Sequence, residues 1–149
     1  MSFEFTIRSL SAGDRGHWER LFRAYIDFYE AQVPDDIIAA TFESLLSSNP
    51  GSFVGILAVD GSDVPVGFAH LLHHPSTWSM SGYVYLEDLY VDPVVRGHGI
   101  GEALIAATYA EADRLGATRT YWVTMENNVA ARRLYDRVAN KTPFVQYRR

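Results

Sequence analysis

Apolar and polar positions alternate from Phe3 to Leu10 in "FEFTIRSL", the period of two expected of a half-buried strand. Ser11 with Asp14 three residues on resembles a capping box, and Trp18, Leu21, Phe22, Tyr25, Phe28 and Tyr29 then follow at helical spacing. These predict a first amphipathic helix. The proline and paired aspartates of "QVPDD" suit a turn into a second, shorter helix over 37–46, which "NPGS" ends. Three β-rich runs come next, "FVGILAVD", "VPVGFAHLLH" and "GYVYLEDLYV", and the turn-forming residues between them predict an antiparallel meander. From Gly99 to Leu115 the pattern is helical again, with Ile100, Leu104, Ala107 and Ala112 spaced along it and Gly116 at the stop. "TRTYWVTM" reads as a strand, "NNVAARRLYDRV" as a helix and "PFVQYRR" as a final strand. The whole predicts one α/β domain over 1–149, a mixed and mostly antiparallel sheet with helices on its faces.

Composition narrows what such a domain can do. With 48% hydrophobic and 21% charged residues the chain is globular in kind, and at 149 residues it can bury one continuous core. There is no cysteine, which excludes disulfides, thiolate nucleophiles and cysteine metal sites. A formal charge of -5 argues against a nucleic-acid footprint and mildly favours cationic partners. No apolar run is long enough to span a bilayer, and "MSFEFTIRSL" lacks the basic start and apolar block of a signal peptide, so a cytoplasmic address with no membrane partner is expected. Lys141 is the only lysine, a feature read as compositional bias.

The candidate chemistry begins at "DLYVDPVVRGHGIGEALI", where a strand runs through three closely spaced glycines into a helix. A helix start leaves amides unpaired and carries partial positive charge, and glycines let backbone approach an anion, so this is a phosphate site with Arg96 as an added cation. A Walker loop would need Gly-Lys-Ser or Gly-Lys-Thr, and a dinucleotide loop would follow the first strand, whereas this loop follows four strands. Neither fits.

The run Arg96-Gly97-His98-Gly99-Ile100-Gly101 resembles the pyrophosphate loop of the GNAT superfamily of acyl-CoA-dependent N-acetyltransferases, Arg/Gln-x-x-Gly-x-Gly/Ala. Its flanks resemble the family too: "YLEDLYVDP" its fourth strand, and "MENNVAARRLYDRV" its Asn-x-x-Ala-x-x-Leu-Tyr helix through Asn128, Ala131, Leu134 and Tyr135. "YLEDLYV" is similar to the same strand of polyamine and thialysine acetyltransferases. "YIDFYEAQVPDD", "STW" and "YRR" resemble the fungal histone/polyamine acetyltransferase group. The family's Gly-Phe after the last helix is replaced here by "ANKTPF". The resemblance covers nearly the whole chain. It implies a sheet splayed between its fourth and fifth strands, with acetyl-CoA as cosubstrate.

By the same resemblance, the backbone of Leu89, Tyr90 and Val91 would bind pantetheine and carbonyl. Arg96, Gly97, His98, Gly99, Ile100, Gly101 and Glu102 would hold the pyrophosphate, and Asn128 and Ala131 would also contact the cosubstrate. A β-bulge is the physical device that parts two strands, and one is expected near Leu89. Tyr135 would protonate the leaving thiolate, its ordinary phenol pKa keeping it protonated at neutral pH, although an aromatic on an amphipathic helix can equally be core. Asn128 can equally be a helix cap. An amine acceptor arrives protonated and needs a base, and the family's polyamine enzymes imply Glu87 for it, with Asp88 helping to bind the cation. As neighbours on a strand, Glu87 and Asp88 are expected to point to opposite faces.

The acceptor side should come from the first two helices and a strand loop, where Tyr25, Tyr29, Glu30, Asp35, Asp36 and Trp78 supply aromatic and acidic groups suited to an organic cation. Tyr25 and Tyr29 as core, with the aspartates as a helix start, is the plainer alternative. His70, His73 and His74 carry no carboxylate or cysteine spacing that would complete a metal site, so no metal is expected. The expected activity is acetyl transfer to a primary amine of a small cationic molecule such as a polyamine or amino acid. A protein lysine or N-terminus as acceptor, or a non-catalytic acyl-CoA-binding module, stays open. The edge offered by "PFVQYRR" favours a homodimer over a monomer.

Overall fold

In the computed structural model, which describes residues 3–149, five strands lie in sequence order across one sheet. They are β1 (Phe5–Ser9), β2 (Val54–Asp60), β3 (Pro65–Ser76), β4 (Ser79–Val91) and β5 (Arg119–Tyr121). The first four are antiparallel neighbours, and β5 alone runs parallel to its neighbour β4. A parallel neighbour requires a crossover, and helix α3 (Ile100–Leu115) supplies it. Helices α1 (Arg15–Phe28) and α2 (Asp35–Leu46) lie between β1 and β2 in sequence, and α4 (Val129–Val138) follows β5. No helix among the described residues is long and apolar enough to cross a membrane.

Two cores form because strand residues alternate between faces. Leu57, Val59, Phe68 and Tyr90 pack with Trp18, Leu21, Phe22 and Ile26 of α1 and with Ile38, Phe42 and Leu45 of α2. Ile56, Ala58, Ala69, Leu71, Val84 and Leu86 pack on the other face with Ile100, Leu104, Ile105 and Ala112 of α3. Helices thus cover both faces, as the pattern predicts. α1 starts where it should: Asp14 accepts from the Ser11 amide at 2.8 Å and is clamped by Arg8 at 2.8 Å. α3 stops at Gly116, whose φ of 73° suits a residue without a Cβ.

Three expectations are corrected. Phe28 is 55% exposed, because α1 turns its Trp18, Leu21, Phe22 and Ile26 stripe to the sheet and Phe28 falls outside that arc. The strand expected over 118–125 shrinks to Arg119–Tyr121, since β4 offers it only three paired positions. "PFVQYRR" forms no strand within this chain: Phe144, Val145 and Tyr147 are 88%, 74% and 93% exposed, and no strand of the sheet pairs with them.

Candidate active site

The site grows out of the short pairing of β5. Its ladder with β4 joins Tyr83 to Arg119, Val84 to Thr120 and Tyr85 to Tyr121, and there it ends. β4 continues to Val91, so its edge from Leu86 onward faces a gap rather than a strand. Leu89, Tyr90 and Val91 all lie on this stretch. Their side chains are spent on packing, Tyr90 toward α1 and Leu89 and Val91 toward α3. What they offer a ligand is backbone. The Val91 carbonyl already accepts from Arg96 Nε at 2.9 Å.

At the end of β4 the chain enters the glycine loop. Gly97 and Gly99 have φ of 84° and 81°, the left-handed region that side chains disfavour, and a Cβ on either would meet nothing within 4 Å. The glycines are therefore required by backbone conformation, and the space before them is open. Gly101 differs: its Cβ would lie 3.1 Å from Leu134 Cδ2, so it lets α4 approach α3. Among the described residues no acceptor takes the amides of Gly97 through Glu102, and the first helical bond is Ala103 N–H to the Gly99 carbonyl at 3.0 Å. These free amides form a cradle for an anion. Arg96 folds back onto the strand end, its guanidinium 5.4 Å from the centre of the Tyr90 ring. His98 donates through Nδ1 to the Val95 carbonyl at 2.9 Å, bracing the loop with its side chain and leaving its amide forward. The exposed Glu102 carboxylate faces Arg137 at 3.8 Å, so only its amide suits an anion.

The other half of the site is made by a β-bulge. His70 pairs with Asp88 but Leu71 pairs with Leu86, so Glu87 is left without an opposite residue. The expectation of a bulge near Leu89 is met two residues earlier. Its effect corrects the expectation that Glu87 and Asp88 face apart. Val84 and Leu86 point to the α3 side before the bulge, and Leu89 and Val91 point to that same side after it. Hence Glu87, in step with Tyr83 and Tyr85, and Asp88, in step with Tyr90, both point to the α1 side. The sequence carries a trace of this, because apolar positions 84, 86, 89 and 91 skip one beat of the alternation.

On that face the acids meet aromatic groups. Asp88 Oδ2 lies 2.8 Å from His70 Nδ1. Glu87 is exposed, yet its carboxyl is partly desolvated and held above its ordinary value, first by that desolvation and then by the charge of Asp88. The Tyr25 phenol is pushed up first by burial and then by Asp88. Tyr135 on α4 is half-buried against Trp122, with ring centres 5.4 Å apart, and its phenol is pushed up to about 12 by burial, then by Tyr29. Tyr25 on α1 also meets Tyr90 of β4 edge-on, with ring centres 5.9 Å apart. Farther down the same face, His74 Nε2 lies 2.7 Å from the Tyr121 hydroxyl, and Tyr83, Tyr85 and Tyr121 form a half-exposed aromatic floor.

Asp36 is exposed and accepts the Ile37 amide at 2.9 Å as a helix-start residue, and Asp35 pairs with Arg23 at 2.9 Å. Glu30 is exposed, with φ of 52° where α1 ends. Trp78 is 86% exposed at the tip of the β3–β4 hairpin, ten residues along β4 from Asp88, or roughly 30 Å in extended chain. Asn128 Nδ2 donates to Thr124 Oγ1 at 3.1 Å and does not cap α4 with its side chain. Ala131 lies half-buried on the first turns of α4. Two surface hollows of about 370 and 510 Å³ lie along β1 and touch none of these residues. Trp18 Nε1 donates to His70 Nε2 at 2.9 Å, a bond the sequence reading missed because a tryptophan at helical spacing reads as core and nothing else.

Comparison with known proteins agrees with this geometry. Residues 18–139 match the model of the acetyltransferase (GNAT) family. The chain is 35% identical over 144 residues, 96% of its length and 89% of the relative's, to the D-amino-acid N-acetyltransferase HPA3 of Saccharomyces cerevisiae. It is 28% identical over 123 residues, 82% of its length and 76% of the relative's, to the thialysine N-epsilon-acetyltransferase of Caenorhabditis elegans. Its fold is that of AAC(6')-Iy in complex with the bisubstrate analogue CoA-S-monomethyl-acetylneamine, with a TM-score of 0.83 at 23% identity over 98% of this chain and 97% of that one.

Proposed function

The chain belongs to the acetyltransferase (GNAT) family and is an acetyl-CoA-dependent N-acetyltransferase, and from that premise we propose that its acceptor is the primary amine of a small, cationic molecule. The observation that carries the proposal is the bulge at Glu87, which puts two carboxylates on the face where the gap opens. A pair of acids beside aromatic side chains attracts an ammonium group. An amine must lose its proton before it attacks, and a carboxyl held above its usual range accepts one more readily near neutral pH. Glu87 is that base, and Asp88 holds the cation.

The free amides of residues 97–102 and the Arg96 guanidinium suit the pyrophosphate, and the unpaired β4 edge at Leu89–Val91 suits the pantetheine. Tyr135 holds a proton at Oη for the departing sulfur, and burial keeps that proton in place. One relative is named for D-amino acids and another for thialysine, both small amines, which supports the acceptor class. A peptide lysine or N-terminus is the second reading, favoured by the open, half-exposed floor of Tyr83, Tyr85 and Tyr121.

The test is thiol release from acetyl-CoA against D-amino acids, thialysine, polyamines, aminoglycosides and a histone-tail peptide. Turnover with one small amine class supports the proposal; turnover with the peptide alone replaces it. A homodimer belongs to the same reading. Phe144, Val145 and Tyr147 of the tail and Val123 and Met125 beyond β5 are all more than half exposed, and a second copy covers both if the tails exchange. Ending the chain at Thr142 should then lower the mass seen by light scattering.

A further inference from the structure

His70 sits in the middle of β3 and is 1% exposed, in a cage of aromatic rings. Phe68 stacks on it at 4.5 Å and Phe22 meets it edge-on at 5.2 Å. A polar ring in such surroundings needs each nitrogen satisfied, and it has two partners. Trp18 Nε1, on α1, lies 2.9 Å from His70 Nε2, and Asp88 Oδ2, on β4, lies 2.8 Å from His70 Nδ1.

Those partners fix where the proton is. An indole N–H can only donate, so His70 Nε2 must be a bare acceptor. The ring's single proton is then on Nδ1, and it is donated to Asp88. Protonating the ring would set N–H against N–H at Trp18. His70 is thereby a neutral donor to Asp88, which orients the carboxylate without cancelling its charge. A lysine or arginine in the same place would orient Asp88 equally well and neutralise it.

The geometry points to His70 as a positioning residue for acceptor binding: with its tautomer set by Trp18, it holds one oxygen of Asp88 and leaves the full negative charge of that carboxylate for the acceptor's ammonium. This rests on the assignment of the bulge face to the acceptor. The clamp also sits across the ladder from the bulge, because His70 and Asp88 are the last regular pair before Glu87. It joins α1, β3 and β4 at the point where Glu87 must stay facing α1.

Two measurements test the clamp. In long-range ¹H–¹⁵N spectra of the wild-type protein at neutral pH, assigned by loss of one histidine signal in H70N, His70 should show a protonated Nδ1 and a bare Nε2. An Nε2–H tautomer or an imidazolium overturns the proposal whatever the enzyme acetylates. The second measurement compares H70N, whose amide nitrogen replaces Nδ1, with H70Q, whose amide reaches the Nε2 position instead. With acetyl-CoA and thialysine, D-lysine or spermidine as acceptor, H70Q should raise the acceptor KM roughly tenfold or more, while H70N stays within about threefold of wild type. CoA affinity should hold in both. Equal losses in the two variants, tracking their Tm, would reduce His70 to packing. Failure of wild type to turn over any of the three amines would count against the acceptor assignment, and the tautomer would still decide the clamp.

Discussion

The glycine loop and the bulged strand meet at one end of β4, yet they work by different means. The loop offers main-chain amides from consecutive residues, held by the φ of Gly97 and Gly99, and it needs little from the rest of the fold. The bulge offers side chains, and each depends on a neighbour distant in sequence: Asp88 on His70 and Tyr25, Glu87 on a register slip, Tyr135 on Trp122. A backbone site is written locally, whereas a side-chain site has to be assembled. One consequence is that they should fail separately.

The largest effect should come from breaking the loop. Gly99→Asp puts a Cβ where φ is 81° and a negative charge before the free amides, and CoA affinity should fall by roughly a hundredfold or more in calorimetry. Normal CoA binding in that variant would remove the loop from the site. Glu87→Gln attacks the other side. It should lower kcat by about a hundredfold with CoA affinity unchanged. The base acts as a carboxylate, so kcat/KM in the wild type should climb as pH rises through the Glu87 pKa, above the usual carboxylate range. Because Asp88 contributes to that rise, Asp88→Asn should move the acidic limb to lower pH. A limb that stays in place would separate the two acids.

Tyr135→Phe should cut kcat by roughly tenfold to a hundredfold and spare CoA affinity. With the phenol pushed up to about 12, the wild-type rate should show no alkaline fall from Tyr135 across the neutral range. An unchanged rate in the variant would leave Tyr135 as packing against Trp122. Asp14→Asn is the control that touches neither half. Arg8, and after it the Ser11 bonds, hold the Asp14 carboxyl at about 2, below its unfolded value. The stabilisation is therefore present above roughly pH 4 and lost as pH falls through the folded value. At neutral pH the variant should lose about 2 kcal/mol in urea unfolding, with CoA affinity and acceptor KM as in wild type.

Much of the molecule could be read from residues close together in the chain. The loop, the stop of α3 at Gly116 and the alternation of β1 all rest on local backbone preference or on a period of two or 3.6. The tail misled because apolar alternation shows that a segment can pair and says nothing of where its partner is. For Trp78 and Asp36 the residue type suits a cation site, but only their place in the fold, an exposed hairpin tip and a helix start, bears on whether they reach one.

By itself, then, the sequence determined the order of strands and helices from β1 to α4 and the glycine loop, since both follow from preferences of neighbouring residues. Only the tertiary structure decided that Glu87 and Asp88 face the same way, that β5 stops after three pairs, and that Trp18 reaches His70 across 52 positions of chain. Each of those depends on which strand or helix lies alongside. The physical reason is that cross-strand register and inter-helix contact are properties of pairs of segments, and no single segment carries them.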